Sequence, residues 1–259
     1  MRRLFFSIFV MLMSLATACA QTGKTVQNRP YTDLRKFHFG LLVGTHLEDL
    51  ELLNVGPQVI VNEDGTQTTR LITVDQDRWD GGFTVGVLGE LRLNRTFQFR
   101  VAPAMYFGVR HLTFHDFTTP SAPAADGDDA SSGTMLNERL QSIKTAYITC
   151  AADLIFGSQR NGNVRPYLMA GLNPVINLSG SESDIIKLKR TDLYFEIGAG
   201  CDFYLPFFKL RPELKFMFGL TDCLDHKHPE NLRDENLRVF ANSVSRATSK
   251  MIVLTFYFE

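Results

Sequence analysis

Apolar and polar positions alternate through most of the chain. Between residues 192 and 205, Leu193, Phe195, Ile197, Ala199, Cys201, Phe203 and Leu205 occupy every second place, and Asp192, Tyr194, Glu196, Gly198, Gly200, Asp202 and Tyr204 fill the places between. After Pro206-Phe207 the pattern resumes, with Phe208, Leu210, Pro212, Leu214, Phe216 and Phe218 set against Lys209, Arg211, Glu213, Lys215 and Gly219. A period of two puts each set on its own face of a strand. Strands this long, with charges of both signs confined to one face, predict a closed barrel wall. In a membrane barrel the apolar face meets lipid and the charges line the lumen.

The same period predicts strands over residues 37–50, 82–93, 96–111, 142–156 and 164–178 and at the end of the chain over 251–259, eight in all with the pair above. Pro103 marks a bulge or an unpaired position in the third. Residues 52–81 read as a long loop with its own hairpin, Val59 to Val61 against Leu71 to Val74, turning at Asp64-Gly65. Residues 118–134 read as an acidic, solvated loop. Residues 221–245 read as another long loop with one short amphipathic helix. Connections run long, short, long, short, medium, short, long. The expectation is an all-β, eight-stranded antiparallel transmembrane barrel of OmpA or OmpX size, with short periplasmic turns, long outer loops and both termini periplasmic.

A soluble eight-stranded carrier would show the same alternation with its faces inverted. Three features favour the membrane. Gly86, Gly108, Gly171, Gly198, Gly200 and Gly219 stand among the charges, as a narrow, filled lumen requires. Phe37, Phe97, Phe207, Phe208, Phe256 and Phe258 gather at one predicted rim, like an interfacial girdle. The last strand, MIVLTFYFE, is apolar and aromatic with Phe258 next to last, and resembles the signal read by outer-membrane assembly machinery. The lumen is then expected to hold Glu90, Arg92, Arg100, Arg110, Asp153, Arg165, Glu196, Asp202, Lys209, Arg211, Glu213 and Lys215. Opposite charges in so small a space brace the wall through paired networks, because an unpaired buried charge costs several kcal/mol.

Composition is compatible with this architecture. Mean hydropathy is -0.06 and net charge is -1. No long apolar run follows the N-terminus, which excludes a helical membrane protein but not a barrel. Near-zero charge argues against nucleic acid as a partner. Met1-Arg2-Arg3, an apolar run over 4–16 and Ala18-Cys19-Ala20 read as a signal peptide over residues 1–20, cleaved before Gln21; a lipid anchor at Cys19 is the alternative. Residues 21–36 form a periplasmic lead-in, and 37–259 the barrel. Cys150, Cys201 and Cys223 remain, an odd number that argues against a disulfide framework.

Catalytic or ligand chemistry is weakly signalled. His226, His228, Asp222, Asp225 and Cys223 crowd one loop and are types that ligate metals, but a solvated polar loop accounts for them. His111, His115 and Asp116 have no partnered nucleophile in sequence. Asp126, Asp128 and Asp129 around Gly127 lack the rest of a calcium loop. No phosphate loop or nucleotide fingerprint occurs. No catalytic residue, metal or cofactor is expected.

Several segments resemble the PorT (SprT) family of outer-membrane proteins of Bacteroidota. They are NRPYTDLRKFHFGLLVGTHLEDL from Asn28, LRLNRTFQFRVAPAMYFGVRHLTF from Leu91, RPYLMAGLNPVINLS from Arg165, FEIGAGCDFYLPFFKLRPELKFMFGL from Phe195 and SVSRATSKMIVLTFYFE at the end. Together they cover nearly all of the expected mature chain except the outer loops. The resemblance implies a non-enzymatic, integral outer-membrane component of the type IX secretion system. Such a protein works with other components of that system to export cargo bearing a C-terminal signal, such as proteases and adhesins. The Ala/Asp/Ser-rich loop after Thr118 departs from the family core. The alternative is a generic small outer-membrane barrel acting in adhesion or membrane integrity.

Overall fold

Eight strands close into a ring in the computed structural model, which describes residues 27–61, 67–117, 137–180, 184–232 and 235–259. The expected signal peptide, the first part of the lead-in, the Asp64-Gly65 turn and the acidic loop with Asp126, Asp128 and Asp129 lie outside the described residues. The strands are β1 (Phe37–Asn54), β2 (Pro57–Val61), β3 (Gln67–Asp75), β4 (Asp80–Arg92), β5 (Phe97–Asp116), β6 (Asn137–Gly157), β7 (Val164–Asn177), β8 (Thr191–Tyr204), β9 (Lys209–Gly219) and β10 (Val244–Phe258). The ring runs β1-β4-β5-β6-β7-β8-β9-β10, antiparallel throughout. Pairing of β1 with β10, Leu41 opposite Phe258, closes it. No sheet edge then remains within the wall, which is what a strand-built membrane span requires.

Short connections follow β4, β6 and β8 at one end, called here the turn end, where β1 begins and β10 finishes. The opposite, loop end carries everything longer. The hairpin in the first long loop exists, with a different register from the expected one. Pro57 to Val61 pair with Leu71 to Gln67. Residues 72–75 pair instead with 116–113 of β5, so β3 continues the line of β4 beyond a break at residues 76–79. Side chains span that break. Gln76 accepts from Leu50 N (2.9 Å) and donates to Glu48 O (2.9 Å), and Asn54 exchanges hydrogen bonds with the backbone of Val74 (2.9 and 3.2 Å).

Several strands run farther toward the loop end than alternation predicts. β5 has 20 residues and β6 has 21, about twice the 9–11 that cross a bilayer. The excess was hidden because the faces exchange polarity along a single strand. On β5, Phe97, Phe99, Val101, Met105 and Val109 point outward while Gln98, Arg100 and Arg110 are buried inside. Past Arg110, the inward residues are Leu112 and Phe114 and the outward ones are His111 and His115. β1 changes likewise from inward Glu48 to inward Leu50. Outside the bilayer the surroundings are water, so the apolar side turns in, as in a soluble protein.

An apolar cap fills the loop end. Leu50, Ile72, Val74, Leu112, Phe114 and Ile143 of the wall pack against Ile185, Ile186, Leu188, Cys223, Leu224, Leu232 and Ala241. The last two flank or belong to the short helices α1 (His228–Asn231) and α2 (Glu235–Ala241). The backbone bridge Leu188–Leu224 joins two connections read from sequence as separate loops. The His-rich segment is therefore part of a packed cap rather than a solvated loop. The helix expected near residues 232–244 is α2, and its Leu237, Val239 and Phe240 pack on this core.

Glycines let the lumen fill. A Cβ at Gly171 would stand 2.3 Å from Asp153 Oδ1 and 2.6 Å from Ala152 O. At Gly200, opposite Tyr167, it would stand 2.3 Å from the phenol ring. Neither contact leaves room for a side chain. Gly171→Ala is expected to lower stability by about 1–3 kcal/mol, the usual result of overpacking. Gly81→Ala, whose Cβ would meet only Leu47 at 4.0 Å, should stay within about 0.5 kcal/mol of the parent. Urea unfolding from vesicles, followed by fluorescence of the sole tryptophan, Trp79, separates the two.

Candidate functional site

The lumen is a stack of paired charges between two closures. At the turn end, residues 27–36 fold across the mouth as a strap. Asn28 N donates to Asn163 Oδ1 (2.9 Å) and its amide to Tyr204 O (3.0 Å); Arg29 donates to Glu259 O (3.0 Å). Arg29 turns the strap at φ 48, a left-handed conformation uncommon for a non-glycine residue. The strap's 3-10 turn, Thr32–Leu34, presents Asp33 to Tyr204 Oη and Arg160. The Arg160 guanidinium also lies 3.7 Å from the centroid of the Tyr204 ring.

Above the strap, Arg211 is held by Glu90 and Asp202, with Glu259 at 3.4 Å. Lys209 pairs with Glu259, and His38 lies 3.5 Å from the same carboxylate. The Gln98 amide, in the orientation that satisfies both neighbours, donates to Glu90 (2.9 Å) and accepts from Arg165 (3.0 Å). The middle layer centres on Glu213. It accepts two hydrogen bonds from Arg100 (2.8 and 2.9 Å), one from Tyr167 Oη (2.7 Å) and one from Tyr257 Oη (2.9 Å). That occupies all four lone-pair positions of the carboxylate. Arg100 also pairs with Asp153 (2.8 Å) and sits 4.5 Å from the Tyr257 ring centroid. Lys215 lies 3.3 Å from Glu196, which accepts from Asn173 (3.1 Å). Toward the loop end, Arg110 pairs with Glu48 (3.0 Å) and donates to Ser249 (2.6 Å), and Thr145 donates to Glu48 (2.8 Å).

These side chains fill the interior. A cavity beside Arg110, Tyr147 and Tyr194 has about 10 Å³, room for no more than one water. Arg100, Arg110 and Arg211 are fully buried. Ionised groups out of water persist only when paired and hydrogen-bonded. Chemically, the arrangement holds opposite walls of the ring together. Glu213 of β9 bonds Arg100 of β5, and Arg110 of β5 bonds Ser249 of β10.

Glu90, Arg100, Arg110, Asp153, Arg165, Glu196, Asp202, Lys209, Arg211, Glu213 and Lys215 are all buried in this lumen. Arg92 is not with them. It is half-exposed at the turn-end rim, where its Nε donates to Asn94 O (3.2 Å), because β4 ends there and the wall no longer encloses it. Sequence reading overlooked Glu48, His38 and Glu259 as lumen groups. Tyr106, Tyr147, Tyr167, Tyr194 and Tyr204, on the polar faces of their strands, are buried inside together with Tyr257, whose face the alternation had left unassigned; these are six of the seven tyrosines in the chain. The available signal was position, since the first five fall on the polar side of the alternation while phenylalanines dominate the other side.

The candidate ligand residues disperse. His226 meets Asp222 (2.6 Å), while His228 turns inward to Asp184 O (2.6 Å). Cys223 donates to Ala247 O (3.2 Å), and burial pushes its thiol up to about 12. His111 pairs with Asp80 (2.8 Å), His115 with Glu138 (3.5 Å) and Asp116 with Arg70 (2.9 Å). Among the described residues no three such side chains converge as metal ligands. Cys150, Cys201 and Cys223 are free thiols.

An outward apolar belt, a paired polar lumen and a ring without edges are the attributes of a barrel that crosses a membrane. The family model for the outer membrane protein beta-barrel domain matches residues 20–225. The chain belongs to this family. The match spans β1 to β9 and stops short of the closing strand. No curated protein matches the chain. Among solved structures, it is similar to the neisserial surface protein NspA (12% identity, 86% of this chain and 98% of that one, TM-score 0.43). It is similar to the outer membrane protein OprG of Pseudomonas aeruginosa (12%, 86% and 94%, TM-score 0.44). It is also similar to Ail, the attachment invasion locus protein of Yersinia pestis, solved with the heparin analogue sucrose octasulfate (12%, 86% and 99%, TM-score 0.37).

Glu213→Leu leaves Arg100 with Asp153 alone and deprives the Tyr167 and Tyr257 hydroxyls of their acceptor, and is expected to destabilise the barrel by about 3–5 kcal/mol, the range for breaking a buried pair. Replacing the whole charged group, Arg100→Met with Glu213→Leu and Asp153→Leu, should recover part of that loss in the same urea titration. Cys223 should resist iodoacetamide at pH 8 while the cap is folded, since burial raises its thiol pKa and few thiolates form. It should react on unfolding; equal rates in both states would show that the cap opens readily.

Proposed function

We propose that this protein is an integral outer-membrane component of the type IX secretion system, required for export and maturation of cargo carrying a C-terminal secretion signal. The observation that carries this reading is the sequence of the β8–β9 hairpin, where the Asp202-Phe203-Tyr204-Leu205-Pro206 turn and the Pro212-Glu213-Leu214-Lys215-Phe216 strand resemble the PorT family together. The hairpin also supplies Asp202, Arg211, Glu213 and Lys215 to the lumen, so the residues of the resemblance are those that set the interior. The protein acts without catalysis. Its lumen braces rather than conducts, and its work is done by surfaces that touch other secretion components. The turn end, with the strap and both ends of the barrel, faces the periplasm; the belt faces outer-membrane lipid; the cap faces outward.

One feature favours a second reading, a small barrel acting in adhesion or membrane integrity. β2, β3 and the far halves of β5 and β6 form a sheet standing beyond the apolar belt, where it is open to partners outside the cell. Deletion of the gene distinguishes the two. Under the secretion reading, cargo with the C-terminal signal accumulates unprocessed in the periplasm and its surface display falls to background. Normal export combined with altered surface binding would replace that reading with adhesion.

A further inference from the structure

The rim at the turn end carries charge that the lumen does not use. A groove of about 770 Å³ runs between the β4–β5 and β6–β7 turns, roofed on one side by the strap. Its walls include Arg92, Arg95, Arg160 and Arg165 with Asp33 as the sole carboxylate. Asp33 is already engaged by Arg160 (3.5 Å) and Tyr204, and lies 4.0 Å from Arg165. Among the described residues, neither Arg92 nor Arg95 has a carboxylate partner.

The groove is built rather than incidental. Asn94 Oδ1 accepts from Thr96 N (2.7 Å) and Phe97 N (2.6 Å), an Asx turn that presents Arg95 at its tip. Arg165 donates to Arg95 O (3.1 Å) and Gly157 N to Thr96 O (2.8 Å), which fixes the two turns side by side. Arg92 uses Nε on its own turn, and among the described residues its two terminal nitrogens have no hydrogen-bond partner. The third wall is Phe156, half-exposed on the outer surface and 5.3 Å from the ring of Phe97. Both rings belong to the apolar belt. Positive charge thus sits at the edge of the belt, with an apolar strip leading away from it into the bilayer.

We propose that this groove binds the phosphate headgroup of an anionic phospholipid, with an acyl chain lying along Phe156 and Phe97. Guanidinium groups match phosphate in bidentate geometry, and two of them with no carboxylate partner among the described residues leave positive charge at the rim for an anion to neutralise. The continuous apolar strip separates this ligand from the alternatives. A free phosphate or an acidic peptide would use the arginines but not the belt. The inference does not depend on the secretion reading or on which side of the membrane the turn end faces.

The test uses the full mature chain in neutral detergent, titrated with phosphatidylglycerol, phosphatidylcholine or inorganic phosphate and read by native mass spectrometry. Phosphatidylglycerol should be retained in preference to phosphatidylcholine. R92Q/R95Q should weaken that retention by about ten-fold, the scale of one charge-assisted hydrogen-bond pair. R95Q alone, on an exposed tip, guards against a folding defect in the double variant. K144Q/R246Q, which removes two exposed charges toward the loop end, should change nothing. Equal retention of the two lipids, an unaffected R92Q/R95Q protein, or displacement of the lipid by equimolar inorganic phosphate would each overturn the proposal.

Discussion

Everything in this molecule depends on one constraint, the filling of a narrow closed wall with charges that must all find partners. Eight strands enclose a space that side chains can fill. The chain places arginine, lysine, aspartate and glutamate there instead of hydrocarbon. Each ion taken from water costs several kcal/mol unless paired. Glu213 meets that demand with four donors from three strands, and Arg211 does so with carboxylates from β4, β8 and the residue that follows β10. Glycines at 171 and 200 follow from the same filling, because Asp153 and Tyr167 on the facing strands already occupy the space a Cβ would need.

The second organising fact is that one strand serves two solvents. Along β5 the outward residues are apolar as far as Val109 and polar from His111, and the inward ones reverse at Leu112. The outer membrane supplies the apolar surroundings for the first part and water for the second. The upper barrel is accordingly built like a soluble β-protein, with an apolar cap inside, while the lower barrel is its inverse. The two regimes meet near Glu48, Arg110 and Ser249, the last polar layer beneath the cap.

Closure at both ends directs attention away from the lumen. The strap seals the turn end through Asn28, Arg29 and Asp33, and the cap seals the loop end through segments that a hydropathy reading leaves as loops. What remains accessible is the rim, the belt and the sheet that extends past it. Secretion and lipid binding are both proposed for such surfaces, and neither requires a route through the barrel.

The alternation of apolar and polar residues was sufficient for the all-β class, the eight ring strands, the outward belt and most of the lumen charges, because a period of two assigns a face without reference to any neighbour. That the first and last strands meet at one end followed from the even strand count, and the long-loop helix from its own amphipathic pattern. The pairing of β3 with β5, the strap and the cap were not, since each joins residues far apart in sequence through contacts that no local period encodes. Arg92 and Glu48 show the limit most clearly. Arg92 has the parity of a lumen residue but lies where the wall ends, whereas Glu48, near the end of the expected first strand, is deep inside because β1 continues to Asn54. Parity belongs to the sequence; enclosure belongs to the ring, and only the ring decides which charges leave water.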